Sequence, residues 1–501
     1  MKKHVLTIDQ GTTGTRVMIV DHSGEVSGMA YSEFPQIYPQ PGWVEHDPEI
    51  IWETTHTVMK KALLAASVQP RDIMAIGITN QRETVVLWDR KTLKPVHNAI
   101  VWQCRRSASI CDELKSEGLE PLFRDKTGLV VDAYFSGTKV KWLLDQIPGL
   151  RARALAGDIA FGTIDAWIIA RLTKGRIHAT DFTNASRTLL FNIHEKNWDK
   201  ELLRVLDIPA AMLPRVVSSA EVIGESDPEV TGAAIPIAGI AGDQQAALFG
   251  QACFDEGQAK NTYGTGCFLL RNIGQKKIEP TNGLILTLAC DEKGGPCYAL
   301  EGSVFIGGAV IQWLRDGLGI VSDASQTQEI AESVPDTHGV YMVPAFAGLG
   351  APHWDMYARG AVLGLTRSTT RAHVVRAALE GIAYQVKDLI GAFEQCTGTS
   401  FSELKVDGGA CKNSFLMQFQ SDILGCPVDR SRHIESTGMG ATYLAGIATG
   451  LWKAGDQIGG LRQSDMVFVP MIDGATRNRL YTGWKDAVSR IKSTNVCYAN
   501  G

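Results

Sequence analysis

Two apolar, β-branched runs open the chain, Val5-Leu6-Thr7-Ile8 and Val17-Met18-Ile19-Val20, separated by a Gly- and Thr-rich stretch from Asp9 to Arg16. Such a pair predicts a hairpin of two strands. Pro35 to Pro48 is a proline- and aromatic-rich connection. From Glu49 to about Ala66, the residues Ile51, Trp52, Thr55, Val58, Met59 and Ala62 fall on one face at steps of three and four, which predicts a helix. Ile73 to Thr79 reads as a buried strand that runs on into polar Asn80-Gln81-Arg82-Glu83-Thr84, and Val85 to Asp89 as another. Strand, hairpin, helix and strand in succession describe a mixed α/β domain.

The pattern recurs further on. Ile235 to Ala241 is a short apolar strand that runs into Gly242-Asp243, with a helix starting at once. Ala259 to Leu270 is again strand, Gly-Thr turn and strand, which suggests two similarly built domains facing one another, divided near residues 250–258 into 1–250 and 251–501. Helices are expected from Gly308 to Leu318 and from Arg371 to Gln395, the second buried along Val375, Leu379, Ile382, Val386, Leu389 and Phe393. Between them Pro344 to Pro352 is a Gly/Pro loop. Leu404 to Asp407 predicts a strand ending in Gly408-Gly409, followed by a helix with Phe415, Phe419 and Ile423 inward. Leu480 to Lys492 is amphipathic through Leu480, Trp484, Val488 and Ile491, and the tail from Ser493 to Gly501 has no pattern and is expected to fray.

Composition narrows the function classes. The 501 residues suffice for two or three domains, and 45% hydrophobic with 21% charged residues is ordinary for a soluble globular protein. A net charge of -5 gives no support for nucleic-acid or anionic-membrane binding. Met1-Lys2-Lys3-His4 resembles the start of a signal peptide only briefly, because its apolar run ends at Asp9. With no apolar segment long enough to span a bilayer, a cytoplasmic protein is expected. None of the ten cysteines form a C-x-x-C pair, and Cys104, Cys111, Cys253, Cys267 and Cys411 lie in apolar or Gly-rich stretches, where thiols act as small hydrophobes.

Chemistry enters at the turns. Asp9 would project a carboxylate from a sheet edge, Gly11 and Gly14 would let a ligand approach the backbone, and Thr12, Thr13, Thr15 and Arg16 add hydroxyls and a charge. Such a loop can hold a phosphate, yet it is neither a P-loop nor a dinucleotide fingerprint, because a strand follows it and no Gly-Lys-Ser/Thr does. On this stretch alone, a polar surface turn is an equally good reading. Arg82 and Glu83, an opposite-charge pair between two apolar strands, suit a polar substrate better than a solvated surface. Trp102 and Tyr134 fit either a core or a wall against a ligand's carbon skeleton. Asp243 fits either an ordinary helix cap or a base kept ionised by the helix dipole. The glycines after Asp407 leave bare backbone for a flat ligand.

Together these stretches resemble the FGGY carbohydrate kinases. The resemblance rests on Asp9-Gln10-Gly11-Thr12-Thr13, Gly239-Ile240-Ala241-Gly242-Asp243-Gln244-Gln245, Tyr263-Gly264-Thr265-Gly266 and Asp407-Gly408-Gly409-Ala410. Tyr134 to Leu143 resembles the family's first signature, and Gly360 to Leu365 followed by His373 to Glu380 its second. The stretches Gly42 to Pro48, Ile78 to Thr84, Trp102 to Arg106 and Thr183 to Thr188 are similar to those members that phosphorylate glycerol.

The resemblance implies two α/β domains of the actin-like ATPase (ribonuclease H-like) fold with a nucleotide and substrate cleft between them, and transfer from Mg-ATP to glycerol. It implies Arg82, Glu83, Tyr134, Asp243 and Gln244 as glycerol-binding, Trp102 and Phe268 as the apolar wall, and Asp243 as the base. ATP or ADP would be held by Thr12, Thr13, Gly14, Arg16, Thr265, Gly308, Gln312, Gly409 and Asn413, with Asp9 meeting Mg²⁺ through water. Homodimers or homotetramers are what the family implies.

The stretch Glu225 to Ala234 departs from members inhibited by fructose 1,6-bisphosphate, being acidic and without arginine, and residues 215–240 contain no histidine to phosphorylate. Neither control is expected here. The rival readings are a kinase for another short polyol or a ketose, and a non-catalytic actin-like nucleotide switch, which would need no polyol site.

Overall fold

The opening hairpin forms as His4–Gln10 and Gly14–Asp21, paired antiparallel with Asp9 opposite Arg16 and Gln10 opposite Thr15. It lies in a six-stranded sheet of order Ala220–Glu225, Pro236–Gly242, Ile73–Asn80, His4–Gln10, Gly14–Asp21, Val26–Glu33. The central three strands run parallel, and their last residues Gly242, Asn80 and Gln10 are in register. The outer pairings are antiparallel. The expected helix spans Pro48–Ala66, capped by Asp47, and buries the six predicted residues.

The computed structural model describes residues 3–493. The expected frayed tail therefore lies outside the described residues apart from Ser493, whose backbone N–H donates to Asp355 at 2.6 Å. Two compact units form, each from separate stretches of chain: 3–254 with 286–299 and 437–461, and 255–285 with 300–436 and 462–493.

The return of residues 437–461 to the first unit has a clear packing reason. Gly77 and Gly239, in the middle of two buried strands, let the Gly- and Ala-rich helix Ser436–Ala448 lie directly on the sheet. A Cβ at Gly77 would sit 2.5 Å from the Ala441 carbonyl oxygen, and one at Gly239 2.5 Å from the Ala445 nitrogen. Thr7 and Thr442 seal this contact through a 2.6 Å hydroxyl pair. Residues 286–299 are held likewise: Thr287 meets Ser186 at 3.1 Å and Gln245 at 3.3 Å.

In the second unit, five neighbouring strands run in the order Cys267–Gly274, Ala259–Tyr263, Leu404–Asp407, Val428–Ser431, Ser464–Phe468. A hairpin beside parallel central strands repeats the first sheet's plan, so the expectation of two similarly built α/β domains holds. The helix Arg371–Thr397 buries all six predicted residues.

Three local expectations need correction. The helix after Gly308 spans only Ala309–Asp316, because glycines occupy both caps. A 3₁₀ turn, Gly409–Lys412, intervenes before the helix Ser414–Leu424. Phe415 and Leu480 are half-exposed rather than buried, Phe415 lying under the Arg376 guanidinium at 4.9 Å. Among the described residues, no helix is long and apolar enough to cross a membrane.

Candidate active site

The C-terminal edge of the first sheet's parallel strands gathers the charged residues. Chains leaving such an edge line the ligand crevice of α/β folds. Past Gln10 comes the hairpin turn, past Asn80 comes Gln81-Arg82-Glu83, and past Gly242 comes Asp243. A tight turn, Thr84 N–H to Arg82 carbonyl at 2.7 Å, puts Glu83 at φ 61°, a left-handed conformation that is uncommon for a residue with a side chain. Backbone in such a region persists only where the surroundings hold it.

Those surroundings are ionic. Arg82 Nε lies 3.0 Å from Asp243 Oδ1 and 3.8 Å from Glu83 Oε1, while another Arg82 N–H donates to Gln245 at 3.2 Å. Arg187 Nε donates to Glu83 Oε1 at 2.6 Å. The Arg82 and Glu83 side chains are each 2% exposed, whereas Asp243 is 30% exposed. The array therefore presents one accessible carboxylate backed by a buried guanidinium. Gly242 is the cap of the helix Asp243–Gly250, so Asp243 is its first helical residue and not the cap; its Oδ1 accepts from the Gln244 N–H at 2.7 Å. A carboxylate there gains from the helix dipole.

Trp102 and Tyr134 are half-buried and meet edge to face at 5.5 Å. Trp102 Nε1 donates to Thr12 Oγ1 at 2.9 Å, joining this wall to the hairpin turn. Asp132 accepts from the Tyr134 N–H at 2.8 Å and is itself clamped by Arg105 at 2.6 Å. Buried Lys139 donates to the Tyr134 and Phe135 carbonyls, and burial pushes its ammonium down to about 8.

The hairpin turn closes through Gly11 N–H to Gly14 carbonyl at 2.9 Å and leaves Thr13 exposed. A Cβ at Gly14 would lie 2.6 Å from the Ser32 carbonyl oxygen, so the strand pairing there leaves no room for a side chain. Asp9 and Arg16 lie 3.7 Å apart. Behind the turn stands a polar brace that the sequence reading missed. His46 pairs with Gln36 at 2.6 Å and lies 3.4 Å from Gln81; Gln36 donates to the Thr12 carbonyl, and Gln81 to the Gly11 carbonyl and to Gln10, each at 3.1 Å. Burial lowers His46 to about 4 and keeps it neutral. Its sequence signal was a histidine and two glutamines flanking apolar runs.

The second unit gathers its own set. The Thr265 carbonyl accepts from the N–H groups of Gly307 at 2.8 Å and Ala309 at 3.1 Å, and Gly308 N–H donates to Gly264 at 2.8 Å. A Cβ at Gly308 would meet the Gly264 oxygen at 2.8 Å, so only glycine fits. Gln312 is exposed one turn along this helix. Gly409 faces open space, and Gly408, at φ 88°, abuts the Tyr263 carbonyl, where a Cβ would sit 2.6 Å away. Asn413 caps the next helix at Leu416 N–H (2.9 Å) and donates to Thr327 at 3.1 Å. Phe268, half-exposed opposite Thr262, belongs to this unit.

Thus Asp9, Thr12, Thr13, Gly14, Arg16, Arg82, Glu83, Trp102, Tyr134, Asp243 and Gln244 fall in the first unit, and Thr265, Phe268, Gly308, Gln312, Gly409 and Asn413 in the second. Among the described residues, no cluster of three or more acidic, histidine or cysteine side chains could hold a metal ion alone. A single carboxylate such as Asp9 fits a Mg²⁺ that keeps its waters and binds mainly through phosphates.

Comparison with known proteins gives concordant matches. The N-terminal domain of the FGGY family of carbohydrate kinases matches residues 4–250 and its C-terminal domain residues 259–449. Glycerol kinase 2 of Thermotoga maritima is 57% identical over 488 residues, covering 97% of this chain and 98% of that one. Glycerol kinase of Carboxydothermus hydrogenoformans is 57% identical over 496 residues, covering 99% of both. The crystal structure of Plasmodium falciparum glycerol kinase with ADP superposes with a TM-score of 0.90 at 38% identity, over 97% of this chain and 98% of that one.

Proposed function

Because the chain belongs to the FGGY family of carbohydrate kinases, we propose that it transfers the γ-phosphoryl group of ATP to a terminal hydroxyl of glycerol, giving sn-glycerol 3-phosphate and ADP. The observation that carries this reading is the Arg82–Asp243–Glu83 array, in which a buried guanidinium separates two carboxylates beside a half-buried aromatic pair. Glycerol offers three hydroxyls on a short carbon chain. Arg82 donates to one hydroxyl, Glu83 and Asp243 accept from others, and Tyr134 and Gln244 complete the set. Trp102 and Phe268 cover the carbon chain. A site built to bond hydroxyls rejects analogues without them, because its buried polar groups would go unpaired.

In the transfer, the glycerol oxygen attacks the γ-phosphorus in line, the bond to the β-phosphate oxygen breaks, and ADP leaves. Such a reaction depends chiefly on positioning and on neutralising phosphate charge. Asp243, the accessible carboxylate, takes the hydroxyl proton. Thr12, Thr13, Gly14, Arg16, Thr265, Gly308, Gln312, Gly409 and Asn413 hold the ATP or ADP. Mg²⁺, met by Asp9 through water, would supply charge neutralisation at the phosphates. On this division residues 1–250 carry the polyol site and 251–501 the adenosine platform. We assign the enzyme to the cytoplasm as part of this reading.

The test is Mg-ATP turnover against glycerol, other short polyols and ketoses. Efficient turnover of glycerol is expected; efficient turnover of a ketose without glycerol would overturn the substrate, and nucleotide binding without turnover of any of them would favour a switch.

A further inference from the structure

The segment from Asp181 to Arg187 is polar, yet Asp181, Thr183, Asn184, Ser186 and Arg187 are each fully buried. Its hub is Asp181. Oδ2 accepts from the Thr183 N–H at 3.0 Å, the Thr183 hydroxyl at 2.7 Å and the Ser219 hydroxyl at 2.6 Å. Oδ1 accepts from the Asn184 N–H at 3.0 Å and the Asn184 side-chain amide at 2.9 Å. Five donors on two oxygens fix the direction of every bond around them. Thr183 has one hydroxyl proton, and it points at Asp181. Its lone pair is left to accept from the Gly242 N–H at 2.8 Å. Asn184 pairs reciprocally with the Asn80 amide at 3.0 and 3.1 Å. The Ser219 carbonyl accepts from the Ile240 N–H at 3.0 Å.

Both strand ends that present the reacting array are therefore tied to one buried carboxylate. Gly242 immediately precedes Asp243, and Asn80 stands two residues before Arg82. Arg187, from the same segment, holds Glu83.

We infer that Asp181, acting through Thr183 and Asn184, is the positioning centre that fixes Asp243 against the Arg82–Glu83 pair. It touches no substrate; its effect passes through the Gly242 N–H and the Asn80 amide. The inference rests on the reading of Asp243 as the base of glycerol phosphorylation. Loss of the Thr183 hydroxyl would leave a buried N–H unpaired and free the first residue of the Asp243 helix to shift, and small misplacements of a reacting group carry large rate penalties.

The experiment compares Thr183→Val with Thr183→Ser in the full-length enzyme, reading kcat, KM for glycerol and for Mg-ATP, and amide hydrogen exchange in the peptide that contains Gly242. Thr183→Val is expected to lower kcat at least tenfold, with KM for Mg-ATP unchanged and exchange at Gly242 accelerated. Thr183→Ser, which keeps the hydroxyl, is expected within twofold of wild type on every count. Faster exchange with wild-type kcat, or equal losses in both variants, overturns the positioning role. If Thr183→Val does not fold, Ser219→Ala stands in, expected to lower kcat threefold or more; an unchanged kcat there overturns the inference. Wild-type transfer by Asp243→Asn would remove the base reading alone, leaving the exchange result to judge the positioning by Asp181.

Discussion

Replacing Arg187 by methionine removes the 2.6 Å restraint on Glu83 while leaving a side chain of similar length. At 2.6 Å the pair is worth about 6 kcal/mol of gross Coulomb attraction at an effective dielectric of 20, against about 4 for Arg82 at 3.8 Å. Much of that gross figure is offset by desolvation of both groups. Breaking one side of a buried pair costs about 3–5 kcal/mol in practice, because the remaining charge stays out of water. Arg82 and Lys139 still act on Glu83, so the lower end, about 3 kcal/mol, applies here. If half of that appears as a misplaced acceptor for glycerol, KM for glycerol rises about tenfold. KM for Mg-ATP should not move, since Arg187 holds Glu83 and lies against Tyr134 and Phe135 in the proposed polyol site. Coupled ADP-release kinetics on the folded variant read both constants. A KM for glycerol within twofold of wild type would refute the claim that Arg187 holds Glu83 for substrate.

Gly239→Ala places a Cβ 2.5–2.6 Å from the backbone of Ala445 and Ala441, neither of which can yield as a side-chain tip would. A loss of about 3 kcal/mol is expected, and an unchanged thermal midpoint would contradict the packing of the Ser436–Ala448 helix on the sheet. His46 is held neutral by burial, which moves it from 6.5 down to about 4. The unfolded chain binds a proton below about 6.5 that the folded ring refuses, so this stability is present above pH 6.5 and is lost as pH falls toward 4, by about 3 kcal/mol. His46→Gln should flatten the fall in urea midpoint between pH 7 and pH 5. An acid limb as steep as that of wild type would contradict the role of burial.

Periodicity was a good guide where one face of an element meets one core. The helix Pro48–Ala66 and the helix Arg371–Thr397 bury the residues that their spacing marks. It failed where a partner comes from far along the chain. The spacing gives Gly77 and Gly239 no role, yet what they admit is a helix more than 190 residues further on. Gly14 has a neighbour of the same kind, the Ser32 carbonyl of the next strand. At the site, the charged residues stood out because they follow apolar strands, and the sheet edge brings Arg82, Glu83 and Asp243 together. The roles of the residues that hold them did not stand out. Asp181, Thr183, Asn184 and His46 work through hydrogen-bond direction and burial, neither of which leaves a spacing in the sequence.

The most direct trial of the account is phosphoryl transfer by Asp243→Asn. The amide keeps the shape of the side chain at the head of its helix but cannot accept the glycerol proton. Nucleotide binding should persist, and transfer from Mg-ATP to glycerol should fall by about two to four orders of magnitude. Transfer at near the wild-type rate would contradict the account.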